Sequence, residues 1–294
     1  MASQVIHSAR KLLPSWLRKR LVTSSCYSST ADTIESLGVV TVCKEAKCPN
    51  LNECFSAGTA TFMIMGERCT RHCAFCAVAS DAQPVRLDAS EPQRIAQAVK
   101  RMALRYAVVT SVTRDDLPDG GAEHFFKTIG AISTVNPACR VEVLTPDFAG
   151  RRASVELVCS ATPAVYNHNL ETVERLTPQI RSGADYRRSL QVLAWAKQAQ
   201  PAMRTKSGLM VGLGETDAEI AQTMRDLRAV DCNILTIGQY LRPTKGHMEV
   251  VRYVEPKVFQ EYEHLGRELG FLAVAAGPFV RSSYQAAELI KDTA

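Results

Sequence analysis

From residue 59 onward the chain alternates short β-rich runs with helical stretches, and this repeat constrains the fold more than any other feature. Runs at 59–66, 105–112, 139–146, 164–169, 205–212 and 233–241 are rich in β-branched and aromatic residues and read as strands. Helices are expected at 91–103, over GAEHFFKTIGAISTV, around 150–160, at 185–199, from Thr216 to 229, and over EPKVFQEYEHLGRELG, which Gly270 ends. Ser90 and Thr216 supply N-caps, and Pro92 fits a first helical turn, where its missing N–H costs nothing. FLAVAAG (271–277) is a last buried, strand-like run.

Repeated strand–helix units give a parallel sheet with right-handed crossovers. Six units fall short of the eight that close a full barrel, so the expected class is α/β, a partial (β/α)6 TIM-like barrel. The expected divisions are a cysteine-rich N-terminal segment (1–58), the barrel (59–270) and a short C-terminal extension (271–294). In such sheets the chemistry gathers at the carboxyl ends of the strands.

At 294 residues, 46% of them hydrophobic, the chain can bury a sizeable core, so its cysteines are not needed as staples. The net charge of +5 does not by itself mark a nucleic-acid binder, but it suits an acidic partner. No run of 18 apolar residues occurs, so no transmembrane helix and no membrane partner are expected. The first thirty residues carry Arg10, Lys11, Arg18, Lys19 and Arg20 and no acid, as organelle transit peptides do. Only 42 residues precede the first candidate ligand, so this stretch reads instead as an arm anchored on the domain through LPSWLRKR. With no apolar signal-peptide core, a reducing cytoplasm is expected, where clustered cysteines bind metal rather than form disulfides.

Six of the ten cysteines lie between residues 43 and 76, in CKEAKCPNLNEC and CTRHCAFC. The second motif spaces Cys69, Cys73 and Cys76 as Cys-x3-Cys-x2-Cys, directly after the first strand of the repeat. Three thiolates on a tight loop hold three irons of a [4Fe–4S] cube and leave the fourth open. Structural zinc sites use Cys-x2-Cys pairs and four ligands, which this loop lacks. An open iron suits a small chelating ligand, and Phe75 would set an aromatic ring beside it. The first motif, Cys43-x4-Cys48-x5-Cys54, supplies a second triplet.

CTRHCAFC resembles the signature of the radical S-adenosylmethionine (SAM) enzymes. That resemblance implies an open iron chelating the amino and carboxylate groups of SAM. Reduction then cleaves SAM to methionine and a 5′-deoxyadenosyl radical. The spacing of the first triplet narrows the resemblance to the lipoyl synthases. There the fourth ligand of an auxiliary cluster is a serine in a C-terminal Arg-Ser-Ser-Tyr motif, which this chain carries as Arg281, Ser282, Ser283 and Tyr284. By that match Ser283 joins Cys43, Cys48 and Cys54. A serine alkoxide is a weak iron ligand beside thiolates, which suits an iron given up during turnover. Without the resemblance, RSSY reads as an ordinary surface turn. TSVTRDDLPDGGAEHF, VLTPDF, NHNLETVERL, TKSGLMVGLGET, LTIGQYLRPT and VAAGPFVRSSY are similar to the same family, and the match runs from about residue 12 to 290. Thr113 stands where the family more often carries an acid.

The resemblance implies insertion of two sulfur atoms at carbons 6 and 8 of an octanoyl chain amide-linked to a lysine of a carrier domain. Unactivated C–H bonds resist acid–base catalysis, so a radical cofactor carries the hard chemistry. The implied cofactors are SAM and two [4Fe–4S] clusters, the auxiliary one being the sulfur source. The implied partners are octanoylated carrier domains, of the 2-oxoacid dehydrogenase E2 or glycine-cleavage H type, and a ferredoxin or flavodoxin as electron donor. No nucleic acid is implied. Such carrier domains are typically acidic, so Arg151, Arg152, Arg187 and Arg188 are docking candidates.

Other residues carry two readings each. Gly120 and Gly121 either approach SAM's amino group or form a plain turn with positive φ. Gly212, Gly214 and Glu215 either let backbone approach the adenine and ribose or make a strand-to-helix turn. Asn167, His168 and Asn169 either face a pocket mouth or satisfy buried backbone, and Arg242 either meets a carboxylate or is solvated. His72 reads as a spacer, and Cys26, Cys139, Cys159 and Cys232 have no motif spacing. Two other classes stay open. A methylthiotransferase-like radical SAM enzyme acting on tRNA would need an RNA-binding domain, for which no sequence remains after residue 290. An iron–sulfur electron carrier would have fully ligated clusters and no use for a barrel of this size.

Overall fold

The computed structural model describes residues 13–19 and 24–291. Arg10, Lys11 and Arg20 of the basic stretch, and the last three residues of the C-terminal extension, lie outside the described residues. After a 3-10 turn at Ser15–Leu17 come α1 (Ser25–Ser36), β1 (Val40–Thr41), α2 (Val42–Glu45) and α3 (Leu51–Ser56). The repeat opens with β2 (Thr61–Ile64) and a two-residue ladder of β3 (Arg68–Cys69) with β4 (Ala79–Ser80). It continues through α4 (Glu91–Arg101), β5 (Tyr106–Ser111), α5 (Ala122–Val135), β6 (Arg140–Leu144), α6 (Arg152–Ser160) and β7 (Val165–Asn167). Then follow α7 (Thr177–Ile180), α8 (Tyr186–Ala199), β8 (Arg204–Val211), α9 (Asp217–Ala229), β9 (Ile234–Gln239), α10 (Pro256–Glu268), β10 (Ala273–Gly277) and α11 (Ala286–Lys291).

The sheet order is β1-β2-β5-β6-β7-β8-β9-β10. From β2 to β10 every pairing is parallel, and among the described residues no pairing joins β1 to β10, so the barrel stays open. The six expected strands are all present, and the sheet gains one strand at each edge. FLAVAAG becomes β10, in parallel register with β9 from Ala273↔Ile234 to Gly277↔Gly238. At the other edge β1 runs antiparallel to β2, with Val40 opposite Met63 and Thr41 opposite Phe62. Two residues are too short a run to announce a strand in the sequence.

Helices cover the outer face, so the strands are buried on both sides, as parallel sheets require. All four residues of β2 and all six of β9 are buried. Ile95 and Val99 of α4 and Phe125, Ile129 and Ile132 of α5 pack over the first strands. Ile220, Met224 and Leu227 of α9, with Phe259 of α10, cover the last. Each such side chain contributes roughly 1.5–3 kcal/mol by leaving water. Thr216 caps α9 in a full capping box with Glu219. Ser90 works differently: its backbone N–H and hydroxyl both donate to Asp88 Oδ1, so Asp88 orders that helix entry.

Alternate residues of a strand share a face, so Glu142 points the same way as Leu144, and Lys206 the same way as Gly208 and Met210. Below the cavity these positions, joined by Asn167, which is level with Leu144 and Lys206, form a polar floor. Lys206 Nζ lies 2.8 Å from Glu142 Oε1, Tyr106 donates to Glu142 Oε2 at 2.7 Å, and Asn167 Nδ2 donates to Glu142 Oε1 at 3.3 Å. Lys206 and Glu142 are each 1% exposed.

Candidate active site

The mouth of the open barrel encloses a cavity of about 350 Å³. Cys43, Cys48, Cys54, Cys76 and Ser283 all line it. The two cysteine motifs and the C-terminal Arg-Ser-Ser-Tyr run therefore meet at one place.

The CTRHCAFC loop leaves β3 and returns through β4, with Cys69 opposite Ser80. Backbone ties fix it on three sides. Thr70 N–H and hydroxyl both donate to the Thr113 carbonyl at 3.0 Å, Ala74 N–H donates to the Ile180 carbonyl at 2.9 Å, and Asp81 N–H donates to the Cys69 carbonyl at 2.9 Å. The Cys69 sulfur accepts from Arg71 N–H at 3.4 Å and Thr113 N–H at 3.3 Å. Thr113 braces the loop through its backbone, so the missing acid there does not disturb it. Amide donors to thiolate sulfur are a means of tuning an iron–sulfur cluster's potential. His72 sits on the outer side, 2.6 Å from Ser80 Oγ. His247 Nε2 lies 2.9 Å from the Cys76 carbonyl, and Met248 N–H donates to the Ala74 carbonyl, which stitches the loop after β9 to the same motif.

The first triplet hangs from the edge strand. β1 leads straight into α2, which carries Cys43; Cys48 N–H donates to the Cys43 carbonyl, and Cys54 sits on α3. Burial pushes the Cys43 thiol up to about 11. Burial, then the charges of Cys43 and Cys48, push Cys54 up to about 12. Burial raises Cys73, against the charge of Arg181 and with Cys69 adding, and raises Cys76 to about 12, with Cys73 and Cys69 adding. Within each triplet the sulfurs are thus close enough to oppose one another's ionisation. At Cys43, Cys54, Cys73 and Cys76 the neutral thiol is favoured until a cation takes up the thiolate charge, which is what bound iron does. Among the described residues no three His, Cys, Asp or Glu side chains converge on a point that one ion could occupy. An iron–sulfur cube spreads its ligands around a larger body, so two soft, mutually repelling triplets fit [4Fe–4S] clusters.

Arg281, Ser282, Ser283 and Tyr284 all line the cavity. Ser282 donates to Asn169 Oδ1 at 2.7 Å, and Tyr284 donates to Glu53 Oε1 at 2.5 Å. Burial weakens the hold of Arg281 on its proton, while Cys48 and Glu171 favour its charge. Glu171 was not singled out by the sequence. Its backbone pairs with β8 through Gly208 and Met210, and its carboxylate accepts from Asn169 Nδ2 at 2.9 Å. Burial raises its pKa against the pull of Arg181, and its charge is felt by Cys73, Cys76 and Arg281. Its charge thus reaches both the second triplet and Arg281 of the C-terminal motif. An acid two residues past an Asn-His-Asn strand end was the only available signal.

Phe75 lines the cavity beside Cys76. Five other expected contacts do not line it. Gly120 and Gly121 have φ of +66° and +90° and lead into α5, with Gly121 against Met65. A Cβ on Gly121 would meet Met65 Sδ at 2.1 Å, so packing and turn geometry explain the glycine. Asn167 belongs to the polar floor. Glu215 accepts from Gly212 N–H at 2.6 Å and Leu213 N–H at 2.9 Å, so its carboxylate closes the turn after β8 instead of reaching inward. Gly212 is needed there, because a Cβ would meet Gln239 Nε2 at 2.3 Å. His168 is buried with Nδ1 on the Thr145 carbonyl, and only Asn169 of that trio reaches the cavity.

The docking arginines are largely spoken for within the chain. Arg152 pairs with Glu156, Arg187 with Glu174 and Arg188 with Asp147. Arg242 lines the cavity and pairs with Glu249. Cys139, Cys159 and Cys232 are buried and Cys26 is exposed, all apart from the cavity lining.

Comparison with known proteins identifies the family. The Radical SAM superfamily model matches residues 63–227. The chain is 53% identical over 279 residues to a lipoyl synthase of Rubrobacter xylanophilus, covering 95% of this chain and 87% of the relative. It is 50% identical over 281 residues to the lipoyl synthase of Chlorobium limicola, covering 96% of each. Among solved structures, Streptococcus suis SuiB bound to S-adenosylmethionine superposes with a TM-score of 0.59 at 11% identity, over 78% of this chain and 54% of that one. HydG, a maturase of the [FeFe]-hydrogenase, superposes with a TM-score of 0.57 at 15% identity, over 91% and 67%. At such identities these two share the fold alone. The chain belongs to the lipoyl synthase family of the radical SAM superfamily.

Proposed function

We propose that the two triplets divide one reaction across their shared cavity. As a lipoyl synthase the protein is a sulfurtransferase that uses SAM and [4Fe–4S] clusters. In this reading Cys69, Cys73 and Cys76 hold the resident cluster, with Phe75 beside SAM. Cys43, Cys48, Cys54 and Ser283 hold an auxiliary cluster that is the sulfur substrate. The bound cofactor supplies a radical able to take hydrogen from an unactivated carbon. The chain's own residues position and enclose. Leu144, Leu209, Met210 and Val280 give the cavity apolar walls suited to an alkyl chain and hostile to water. The open barrel admits a long lysyl arm displayed on another protein.

One observation carries this reading: Cys43, Cys48, Cys54 and Ser283 share a cavity of about 350 Å³ with Cys76 and Phe75. The substrate is an octanoyl-lysine of a carrier domain, of the 2-oxoacid dehydrogenase E2 or glycine-cleavage H type, converted at carbons 6 and 8. A ferredoxin or flavodoxin supplies electrons. The cytoplasm is the proposed compartment, where reducing conditions keep clustered cysteines available to iron. No helix among the described residues is long and apolar enough to cross a membrane. Segments 1–58, 59–270 and 271–294 then serve as auxiliary-cluster segment, radical-generating barrel and ligand-bearing extension.

Cys43→Ala tests the assignment, assayed without oxygen with SAM, reductant and an octanoylated carrier domain. The expected result is continued release of 5′-deoxyadenosine with no dithiolane product. A normal product yield overturns the sulfur-donor role of the first triplet.

A further inference from the structure

Ser283 sits between two anchored neighbours. On one side, Ser282 holds Asn169 at the barrel mouth at 2.7 Å. On the other, Tyr284 holds Glu53 of α3 at 2.5 Å, and its own N–H closes a turn on the Arg281 carbonyl at 3.0 Å. Glu53 immediately precedes Cys54. Its second carboxylate oxygen lies 2.5 Å from Lys19 Nζ, from the N-terminal arm. Lys19 also donates to Asn50 Oδ1 at 2.6 Å, and its ammonium lies 5.0 Å from the Phe279 ring centroid and 5.4 Å from that of Tyr284. Asn50 in turn donates through Nδ2 to the Phe279 carbonyl at 2.7 Å. Three remote parts of the chain thus converge on one ammonium group.

We propose that Lys19, Glu53 and Tyr284 form a clasp that positions Ser283 at the auxiliary triplet. This rests on the reading of Ser283 as that cluster's fourth ligand. The physical need is plain. A serine oxygen is a weak iron ligand and cannot by itself hold a chain segment in place. The clasp does the holding with charge-assisted hydrogen bonds and cation–π contacts, which are stronger than neutral ones yet individually reversible. Lys19 is 27% exposed and Glu53 37% at the side chain, so the ion pair is open to solvent on one side. The segment is therefore held without being locked, as a ligand needs if its iron is to leave. Lys19 is a positioning residue: it lies outside the lining of the cavity.

The test uses the full-length holoenzyme and a chelator assay that follows iron loss from each cluster separately by Mössbauer spectroscopy. Lys19→Met and Tyr284→Phe should each speed iron loss from the auxiliary cluster about tenfold, the size expected from losing one charge-assisted hydrogen bond. Loss from the radical-generating cluster should not change, and Lys19→Met should still release 5′-deoxyadenosine from SAM at the wild-type rate. Lys19→Arg, which keeps the charge, should restore the wild-type rate of iron loss. Tyr284→Phe removes a single hydroxyl and serves should Lys19→Met fail to fold. Wild-type iron loss in Tyr284→Phe, or in a folded Lys19→Met, overturns the clasp. Ser283→Ala separates the two levels. If it too loses auxiliary iron at the wild-type rate, the ligand assignment fails and the clasp with it. If it accelerates loss while the other two do not, only the clasp fails.

Discussion

Arg71, between the first two cysteines of the CTRHCAFC loop, donates to the buried carboxylate of Asp147 at 2.7 Å, and Arg188 holds the other oxygen of that carboxylate at 2.8 Å. Arg71 also grips Asp115 through two nitrogens, at 2.7 and 2.9 Å. Burial would raise the Asp147 carboxyl, but its bonds to Arg71 outweigh this and hold it well below the usual range. The loop that carries Cys69 and Cys73 is thus clamped to the segments following β5 and β6.

Removing that clamp should loosen the cluster without touching its ligands. Arg71→Ala is expected to release iron from this cluster about tenfold faster under chelation, the lower end of what outer-sphere partners are worth. Arg71→Lys cannot grip two carboxylates in a fork and should recover only part of the loss. Unchanged iron release in Arg71→Ala would show that the backbone ties alone suffice.

His168 predicts an acid-side loss of stability. Burial, then the positive charge of Arg181, pulls its imidazole down to about 4 from 6.5, against the favourable charge of Asp147. The neutral ring is the one the fold accepts, so the unfolded chain binds the extra proton first. The stabilisation is complete above pH 6.5 and fades as pH falls toward 4, amounting to on the order of 3 kcal/mol. Denaturation midpoints at pH 7 and pH 5 should differ more for the native chain than for His168→Asn, whose amide retains a donor toward the Thr145 carbonyl. Equal differences would mean that the ring does not titrate between those limits.

The polar floor offers a third test. Lys206 and Glu142 are each 1% exposed, so either partner left alone is a charge without water. Lys206→Met is expected to cost about 3–5 kcal/mol of stability, whereas the double change with Glu142→Leu should cost clearly less. Additive losses in a double-mutant cycle would deny the coupling.

The sequence made the barrel legible because each strand run is long enough to show its composition. β8 reads from Arg204 to Val211 as it was expected to within a residue. β1 has only two residues and owes its existence to Phe62 and Met63 beside it, which no local pattern reveals. The cysteine motifs were legible because their members lie close together in sequence at distinctive spacings. Gly121, Gly212 and Glu215 were legible only as special residues. Whether a glycine yields to a ligand or to Met65 depends on what the fold brings against it, and that partner is remote in sequence. Glu171 escaped for the same reason, since the charge of Arg281 lies far along the chain, and the anchor expected in LPSWLRKR was legible only without its partner Glu53.

The bond between Tyr284 and Glu53 spans 231 positions, and it sets the order in which the chain can be made ready. During synthesis Cys43, Cys48 and Cys54 leave the ribosome more than two hundred residues ahead of the segment that carries Tyr284. Throughout that interval three soft thiols face the cell with no oxygen partner and no neighbouring tail. Whatever delivers iron and sulfide to them meets an exposed nest if it acts during translation and a covered one if it acts afterwards. The timing of maturation is thus written into the topology.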